Sequence, residues 1–151
     1  MKSKNVGYLA GVFDFCHVGH INIIRKASKL CDQLIVAVVS DNFANKYKKQ
    51  TIFYNQDERV KMISSLDLKI NLVIVDNNDH GFFFDKYKVT HLFHGTDWDI
   101  ESYIDFMGRD LIKNRNINVV MLPHTKGISS TALRKLQIER KTVDSIGETI
   151  A

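Results

Sequence analysis

Five short apolar runs, separated by stretches with helical spacing, constrain the fold of this chain most. The runs cover residues 6–12, 34–39, 72–75, 92–94 and 119–122. Continuous apolar character is typical of strands that are buried on both faces of a parallel sheet. Helical spacing predicts helices over residues 21–30, 56–65, 81–87 and 100–114, and a last helix beginning near Ser130. This alternation predicts an α/β fold with a doubly wound parallel sheet.

The length and composition are those of one ordinary globular domain. The chain has 151 residues, of which 44% are hydrophobic and 25% charged. We predict one domain over residues 1–140 and a C-terminal tail over residues 141–151. No apolar run approaches the ~20 residues of a membrane span, so we expect no membrane insertion. Two cysteines, Cys16 and Cys31, are too few for a disulfide framework, which favours a cytoplasmic protein.

The charge pattern favours a small anionic substrate over a nucleic acid. The formal net charge is +4, and basic residues concentrate at residues 46–49 and 134–141. No aromatic stacking platform or known nucleic-acid motif accompanies these basic residues. We therefore expect a small polyphosphate ligand and no nucleic-acid partner.

The segment from Gly11 to His20, which reads GVFDFCHVGH, lies between the first apolar run and an amphipathic stretch. It therefore marks a strand-to-helix turn, where free backbone N–H groups and the helix dipole favour an anion. His17 and His20 add side-chain donors at the same place, and Gly19 permits close approach to the backbone. The segment predicts a phosphate-binding turn.

This segment matches G-x-F-D-x-x-H-x-G-H, which resembles the HxGH nucleotidyltransferases and, among them, the small cytidylyltransferases. Three later segments resemble that family in the same order. They are Asp57-Glu58-Arg59, Gly95-Thr96-Asp97-Trp98 and Gly127-Ile128-Ser129-Ser130-Thr131-Ala132-Leu133-Arg134. The Gly-x-Asp-Trp segment and the segment from Thr125 to Ser129 most resemble the glycerol-3-phosphate cytidylyltransferases. The resemblance covers roughly residues 8–134.

The resemblance implies a Rossmann-like fold and an enzyme that transfers CMP from CTP to a small phosphorylated alcohol, foremost glycerol 3-phosphate. It also implies Mg²⁺ as cofactor and a homodimer. An ionised phosphate needs no strong base to attack the α-phosphorus, so histidines, lysines and helix-terminal amides suffice. Two alternatives stay open: an adenylyltransferase of the same fold acting on a pantetheine, flavin or sugar phosphate, and a catalytically silent nucleotide-binding module.

The resemblance also assigns residues to roles. The predicted catalytic residues are His17, His20, Lys46 and Arg59. The predicted nucleotide-binding residues are these two histidines and Lys46 with Gly11, Val12, Phe13, Gly19, Gly95, Asp97, His124, Thr125, Gly127, Ile128, Ser129, Ser130 and Thr131. The predicted acceptor-binding residues are Asp14, Arg59 and Trp98. No protein ligands to a metal are predicted.

Several of these residues have a competing structural interpretation. Asp14 orients the acceptor or caps the following helix, and Cys16 is a packing residue rather than a nucleophile. Arg59 contacts the substrates or forms a salt bridge on a helix surface, and Trp98 walls the site or belongs to the core. Arg134, one turn after the last motif, could reach a phosphate.

Basic residues leave two further questions open. Lys46 lies in a mobile-looking stretch after Ser40 and Asp41, and Lys48 or Lys49 could act in its place. His124 stands where similar proteins have an arginine, so a titrating side chain replaces a permanent charge, and Lys126 could supply the missing charge. Three adjacent phenylalanines, Phe82 to Phe84, cannot all face one core, which favours an interface there.

Overall fold

The sheet runs through the centre of the molecule. The computed structural model describes residues 3–47, 51–131, 133, 135 and 136. Within them lie five parallel strands, β1 (Val6–Gly11), β2 (Gln33–Val39), β3 (Asn71–Val75), β4 (His91–Gly95) and β5 (Asn118–Leu122). Their order is β3-β2-β1-β4-β5, so strand addition changes direction between β1 and β4. This order confirms the predicted doubly wound, Rossmann-like sheet, and each strand end lies within one residue of its predicted position.

Helices connect the strands on both faces of the sheet. In the described residues α1 (Val18–Lys29) follows β1, while α2 (Asp41–Tyr47) and α3 (Gln56–Ser64) follow β2. Next, α4 (Gly81–Lys86) follows β3, and α5 (Ile100–Met107) and α6 (Arg109–Asn114) follow β4. The C-terminal ends of all five strands therefore meet at one edge, where parallel sheets of this kind bind their ligands.

The strand β2 shows why its sequence is continuously apolar. Residues 34–39 are at most 4% exposed. Leu34, Val36 and Val38 pack in one core layer with Ile24 of α1 and Ile63 of α3. The alternate residues of β2 pack in a second layer, which contains residues of α4, α5 and α6. Both faces of the sheet are thus covered, as the apolar pattern predicts.

The prediction of one continuous helix over residues 100–114 is wrong. It divides into α5 and α6 at Gly108, whose φ of 111° lies outside the helical region. A Cβ at Gly108 would lie 2.9 Å from Cδ1 of Leu111, so a side chain would clash here as well. The apolar periodicity continues across the break, and for that reason spacing alone does not reveal it.

No helix was predicted for the segment around Lys46. This segment forms α2, and the Ser40 hydroxyl accepts a hydrogen bond from the Phe43 N–H at 3.1 Å. Ser40 followed by Asp41 is a helix-start signal that the sequence contains. The helix α1 likewise begins at Val18, three residues before the predicted start, so His20 belongs to its first turn.

Residues 141–151 lie outside the described residues, so the boundary at residue 140 stays a prediction. In the described part of the chain, no helix combines the length and the apolar character that crossing a bilayer requires.

A buried histidine makes the stability of the folded protein depend on pH. His80 is 2% exposed, and its Nδ1 lies 2.8 Å from the Tyr8 hydroxyl. Burial lowers the pKa of His80 to about 4, although neighbouring Asp79 opposes the shift. The unfolded chain therefore binds a proton at higher pH than the folded protein does. The contribution of His80 to the free energy of unfolding is therefore fully present above about pH 6.5 and is lost as the pH falls towards 4.

We predict that His80→Gln flattens the acid side of the stability profile. In the wild type, the free energy of unfolding should fall by up to about 3 kcal/mol between pH 6.5 and pH 4 through this residue. Urea unfolding across this pH range measures the slope, and the difference between the two proteins removes the contribution of the carboxylates. Parallel profiles for both proteins would contradict the assignment.

Candidate active site

Two adjoining cavities open at the C-terminal edge of the sheet. The larger has a volume of about 650 Å³, and we call it the polar cavity. Its lining comprises His17, Gly19, His20, Ile23, Asp97, His124, Thr125, Gly127, Ile128, Ser129, Ser130 and Thr131. The smaller, of about 250 Å³, we call the aromatic cavity; its lining includes Phe43, Trp98, Tyr103 and Phe106. His20, Ile23, Asp97 and Ser130 line both cavities, so they mark the junction.

The two motif histidines form the start of α1. His17 is the N-cap, and its Nδ1 accepts the Gly19 N–H at 3.1 Å. The Nδ1 of His20 in turn accepts the His17 N–H at 3.2 Å, and the two rings stack with centroids 3.8 Å apart. Because each Nδ1 is an acceptor, each neutral ring carries its proton on Nε2. The capping arrangement thus fixes which nitrogen donates.

Burial keeps His17 neutral. Desolvation lowers the pKa of His17 below its usual value, so the imidazole is uncharged at neutral pH. A Cβ at Gly19 would lie 2.8 Å from Cε1 of His17, so only glycine leaves room for this ring. Gly19 therefore leaves room for the His17 ring and also lines the polar cavity.

The turn between β1 and α1 has an unusual backbone. Phe13, Phe15 and Cys16 have φ values of 58°, 67° and 33°, a region that side chains disfavour. Phe15 stacks on Phe53 at 5.1 Å, and Phe13 packs edge-on against His20 at 5.3 Å. Burial raises the pKa of the Cys16 thiol, which makes it a poor nucleophile, as the packing interpretation expects.

Asp14 connects the turn to distant segments. It is 1% exposed, and its carboxylate accepts the N–H groups of Phe53 and Tyr54 at 2.8 and 3.0 Å. Its carbonyl accepts the Ser130 hydroxyl at 2.6 Å. The interpretation of Asp14 as a helix cap is wrong, because His17 occupies that position. Asp14 lines the aromatic cavity, but its carboxylate is engaged by the backbone of the 53–54 segment.

Arg59 is buried, and the interpretation as a surface salt bridge is therefore wrong. Its side chain is 0% exposed, and Nη1 donates to the carbonyls of Val12 and Val39 at 2.8 and 2.7 Å. Nη2 donates to the Asp41 carboxylate at 2.7 Å, and Nε to the Tyr54 carbonyl at 3.0 Å. Among the described residues, those that line the cavities do not include Arg59. In this structure Arg59 contacts the loops that form the site, and its contact with a substrate stays a prediction.

The segment after β4 lies at the junction. Asp97 lines both cavities. A Cβ at position 95 would lie 2.8 Å from its Oδ1, so Gly95 leaves room for this carboxylate. The Thr96 hydroxyl lies 3.0 Å from Nδ1 of His124, so it holds that ring beside the polar cavity. Trp98 is 39% exposed and packs against Phe106 at 5.0 Å, so the interpretation of Trp98 as a core residue is wrong.

The last motif completes the wall of the polar cavity. Gly127 has a φ of 82°, which suits glycine at this turn. Helical conformation begins at Ser130, and the Leu133 N–H donates to the Ser129 carbonyl at 3.0 Å. The Thr125 hydroxyl accepts a hydrogen bond from Asn22 of α1 at 2.9 Å, which joins the first and last motifs.

The remaining predicted residues lie elsewhere. Gly11, Val12 and Phe13 line the aromatic cavity instead of the polar one that holds most predicted nucleotide contacts. Lys46 is exposed on α2, and the described lining of either cavity does not include it or Lys126. Lys48, Lys49 and Arg134 lie outside the described residues.

The cytidylyltransferase-like family model matches residues 8–136, nearly the whole described region. This chain belongs to the cytidylyltransferase-like family. The match confirms the resemblance drawn from the four motifs and places the chain among nucleotidyltransferases.

Relatives and solved structures agree with this family. The chain is 31% identical over 127 residues to the glycerol-3-phosphate cytidylyltransferase of Staphylococcus aureus, covering 83% of this chain and 89% of that protein. It is 30% identical over 129 residues to the bifunctional protein HldE of Hyphomonas neptunium, but the match spans 85% of this chain and only 26% of HldE. The lipopolysaccharide core biosynthesis protein from Thermoplasma volcanium shares the fold, with a TM-score of 0.67, 20% identity and coverage of 82% and 100%.

Sequence reasoning missed one side of the candidate site. The aromatic cavity is lined by His80, His94, Phe43, Tyr103 and Phe106, none of which was predicted to bind a ligand. His94 directly precedes the predicted Gly95, and this was the available signal. Tyr103 lies on the apolar face of α5, where helical spacing assigns it to the core. Among the described residues, no group of three His, Cys, Asp or Glu converges to hold a metal ion.

We predict that Arg59→Lys lowers the free energy of unfolding by about 2 to 4 kcal/mol. Lysine keeps the charge but cannot reach the separate acceptors that the guanidinium fork serves, which leaves buried carbonyls unsatisfied. The matched control is Arg109→Lys. Arg109 is exposed and pairs with Glu101 and Asp105, so its replacement should change the urea midpoint little. Equal midpoint shifts in the two variants would contradict the assignment.

Proposed function

We propose that this protein transfers CMP from CTP to a small phosphorylated alcohol and releases pyrophosphate and a CDP-alcohol. Glycerol 3-phosphate is the first acceptor to test, because the Staphylococcus aureus relative bears that name and is matched over 89% of its length. The observation that carries the proposal is the stacked pair of His17 and His20, which lines the polar cavity and of which His20 also reaches the junction with the aromatic cavity.

The reaction joins two anions. A phosphate oxygen of the acceptor attacks the α-phosphorus of CTP, and the bond from that phosphorus to the β-phosphate oxygen breaks. The nucleophile is already ionised, so the protein must align the reactants and stabilise charge on the leaving pyrophosphate. Hydrogen-bond donors with fixed positions perform this task best, because they need no reorganisation during the reaction.

The histidine pair supplies such donors. The capping bonds place the ring protons of His17 and His20 on Nε2, and both rings line the polar cavity. In our proposal His20, which also reaches the junction, donates to the phosphate undergoing transfer, and His17 donates to the neighbouring phosphates. The hydroxyls and amides of residues 129–131 complete the triphosphate site at the opposite wall.

The acceptor occupies the aromatic cavity in this proposal. The cavity of about 250 Å³ suits a small molecule, and Asp97 and Ser130 connect it to the polar cavity. An acceptor held there would place its phosphate beside His20, where the bond is made. Trp98 and Phe106 would form one wall, which retains the predicted acceptor role of Trp98.

Mg²⁺ enters this proposal as part of the substrate. The described residues offer no three-ligand metal cluster, and magnesium in nucleotide sites is held largely by phosphates and water. We therefore propose that the ion arrives as Mg·CTP.

We also propose a cytoplasmic homodimer. Phe84 is 1% exposed whereas Phe82 is 60% exposed, which supports an interface at Phe82.

Pyrophosphate release from Mg·CTP and Mg·ATP, across a panel of phosphorylated polyols and amino alcohols, tests the function. We expect release with CTP and at least one acceptor. Release with ATP alone would identify an adenylyltransferase instead. Binding of CTP without any release would identify a silent nucleotide-binding module.

We predict that His20→Ala lowers kcat by a factor of about 10² to 10³ while changing the affinity for CTP much less. A donor that acts on charge developing in the transition state contributes to rate more than to ground-state binding. The control is His91→Ala, because His91 lies in β4, pairs with the Thr90 hydroxyl and lines neither cavity among the described residues. A kcat near that of the wild type in His20→Ala would remove His20 from the mechanism.

A further inference from the structure

One buried hydroxyl group, on a residue that lines the aromatic cavity, has no hydrogen-bond partner among the residues that the structure describes. Tyr103 is 2% exposed and lines this cavity. Among the described residues, its hydroxyl oxygen is a buried side-chain atom for which no hydrogen bond is found. Buried polar groups without a partner are rare because they forfeit their hydrogen bonds to water. Such a group beside a cavity is explained if a ligand supplies the missing partner.

The surroundings of Tyr103 hold its ring in place. Its ring lies 4.3 Å from the ring of His94 and 5.9 Å from that of Trp98. Burial raises the pKa of Tyr103 above its usual value, and the nearby Tyr8 raises it further, so the hydroxyl is uncharged at neutral pH. A neutral hydroxyl both donates and accepts a hydrogen bond.

Tyr8 shows the ordinary alternative in the same region. It is 0% exposed, and its hydroxyl lies 2.8 Å from Nδ1 of His80. Two tyrosines therefore place buried hydroxyls near one another, and in the described part of the chain that of Tyr8 has a protein partner whereas that of Tyr103 has none. The described lining of the aromatic cavity includes Tyr103 but not Tyr8.

We propose that Tyr103 is a specificity-determining residue, whose hydroxyl binds a free hydroxyl group on the carbon chain of the acceptor. This proposal rests on the proposed function and refines its substrate class to phosphorylated polyols. A site that pairs with a substrate hydroxyl discriminates strongly against an analogue without it, because a buried group is then left unpaired.

The charges of the cavity favour a hydroxyl over other polar groups. Its described lining contains no Lys or Arg, so it offers no cation to a second acidic group of the acceptor. A buried ammonium would need an anionic partner. The Asp14 carboxylate is engaged by the Phe53 and Tyr54 N–H groups, and the Asp97 side chain is 57% exposed at the junction.

The test combines removal of the Tyr103 hydroxyl with removal of the acceptor hydroxyls. Wild type and Tyr103→Phe are assayed for pyrophosphate release from Mg·CTP with glycerol 3-phosphate, propyl phosphate and phosphoethanolamine. We expect the wild type to prefer glycerol 3-phosphate to propyl phosphate by about 10- to 100-fold in kcat/KM, and Tyr103→Phe to lose most of that preference. The KM for CTP should stay unchanged.

Stability provides a second measurement with a matched control. Tyr103→Phe removes an unpaired hydroxyl, so its Tm should equal or exceed that of the wild type. Tyr8→Phe removes a paired hydroxyl, so its Tm should fall while its preference between acceptors stays that of the wild type. A lower Tm in Tyr103→Phe would indicate a structural partner for the hydroxyl and overturn the proposal.

The outcomes separate this proposal from the proposed function. Pyrophosphate release with an unchanged preference in Tyr103→Phe would overturn the role of Tyr103 and leave the cytidylyltransferase function intact. A wild-type preference for phosphoethanolamine over glycerol 3-phosphate would likewise overturn the hydroxyl assignment alone. Absence of release from CTP with every acceptor would overturn the proposed function, and this proposal with it.

Discussion

The edge of the sheet that carries both cavities depends on the guanidinium of Arg59. Parallel strands leave carbonyl groups without strand partners where they end, and here Val12 and Val39 present theirs to Nη1 of Arg59. The same side chain holds the Tyr54 carbonyl and the Asp41 carboxylate. One buried cation thus connects the turn after β1, the end of β2, the start of α2 and the loop before α3. Asp14 completes this connection from the other side through the Phe53 and Tyr54 N–H groups.

The two cavities are lined by different kinds of group. The polar cavity is lined by backbone turns, hydroxyls and imidazoles, which suit phosphates. The lining of the aromatic cavity is mostly aromatic and aliphatic, with the carboxylates of Asp14 and Asp97 among it, which suits a small organic group. His20 belongs to both, and its orientation follows from the capping bond that also starts α1. The hydrogen bond that caps the start of α1 therefore also orients the His20 ring.

The sequence predicted those features that depend on local pattern. The strands were found within one residue because burial on both faces leaves a continuous apolar run, and the motifs fell on one edge because they follow strands. The division at Gly108 and the start of α2 were missed for opposite reasons. Apolar spacing hides the first, while Ser40 is a short signal within a polar stretch. The burial of Arg59 and the unpaired hydroxyl of Tyr103 could not be predicted, because each depends on groups far apart in the chain.

The left-handed residues of the turn after β1 have a consequence for the order of folding. Three side-chain-bearing residues in four adopt a backbone that the isolated segment would disfavour. Contacts with Phe53, Tyr54 and Ser130 hold the turn in this shape, and these residues lie 38 to 116 positions away. The turn therefore cannot serve as a local nucleus. We expect the central strands to associate first, and the turn after β1 to acquire its shape only when the last motif docks against Asp14.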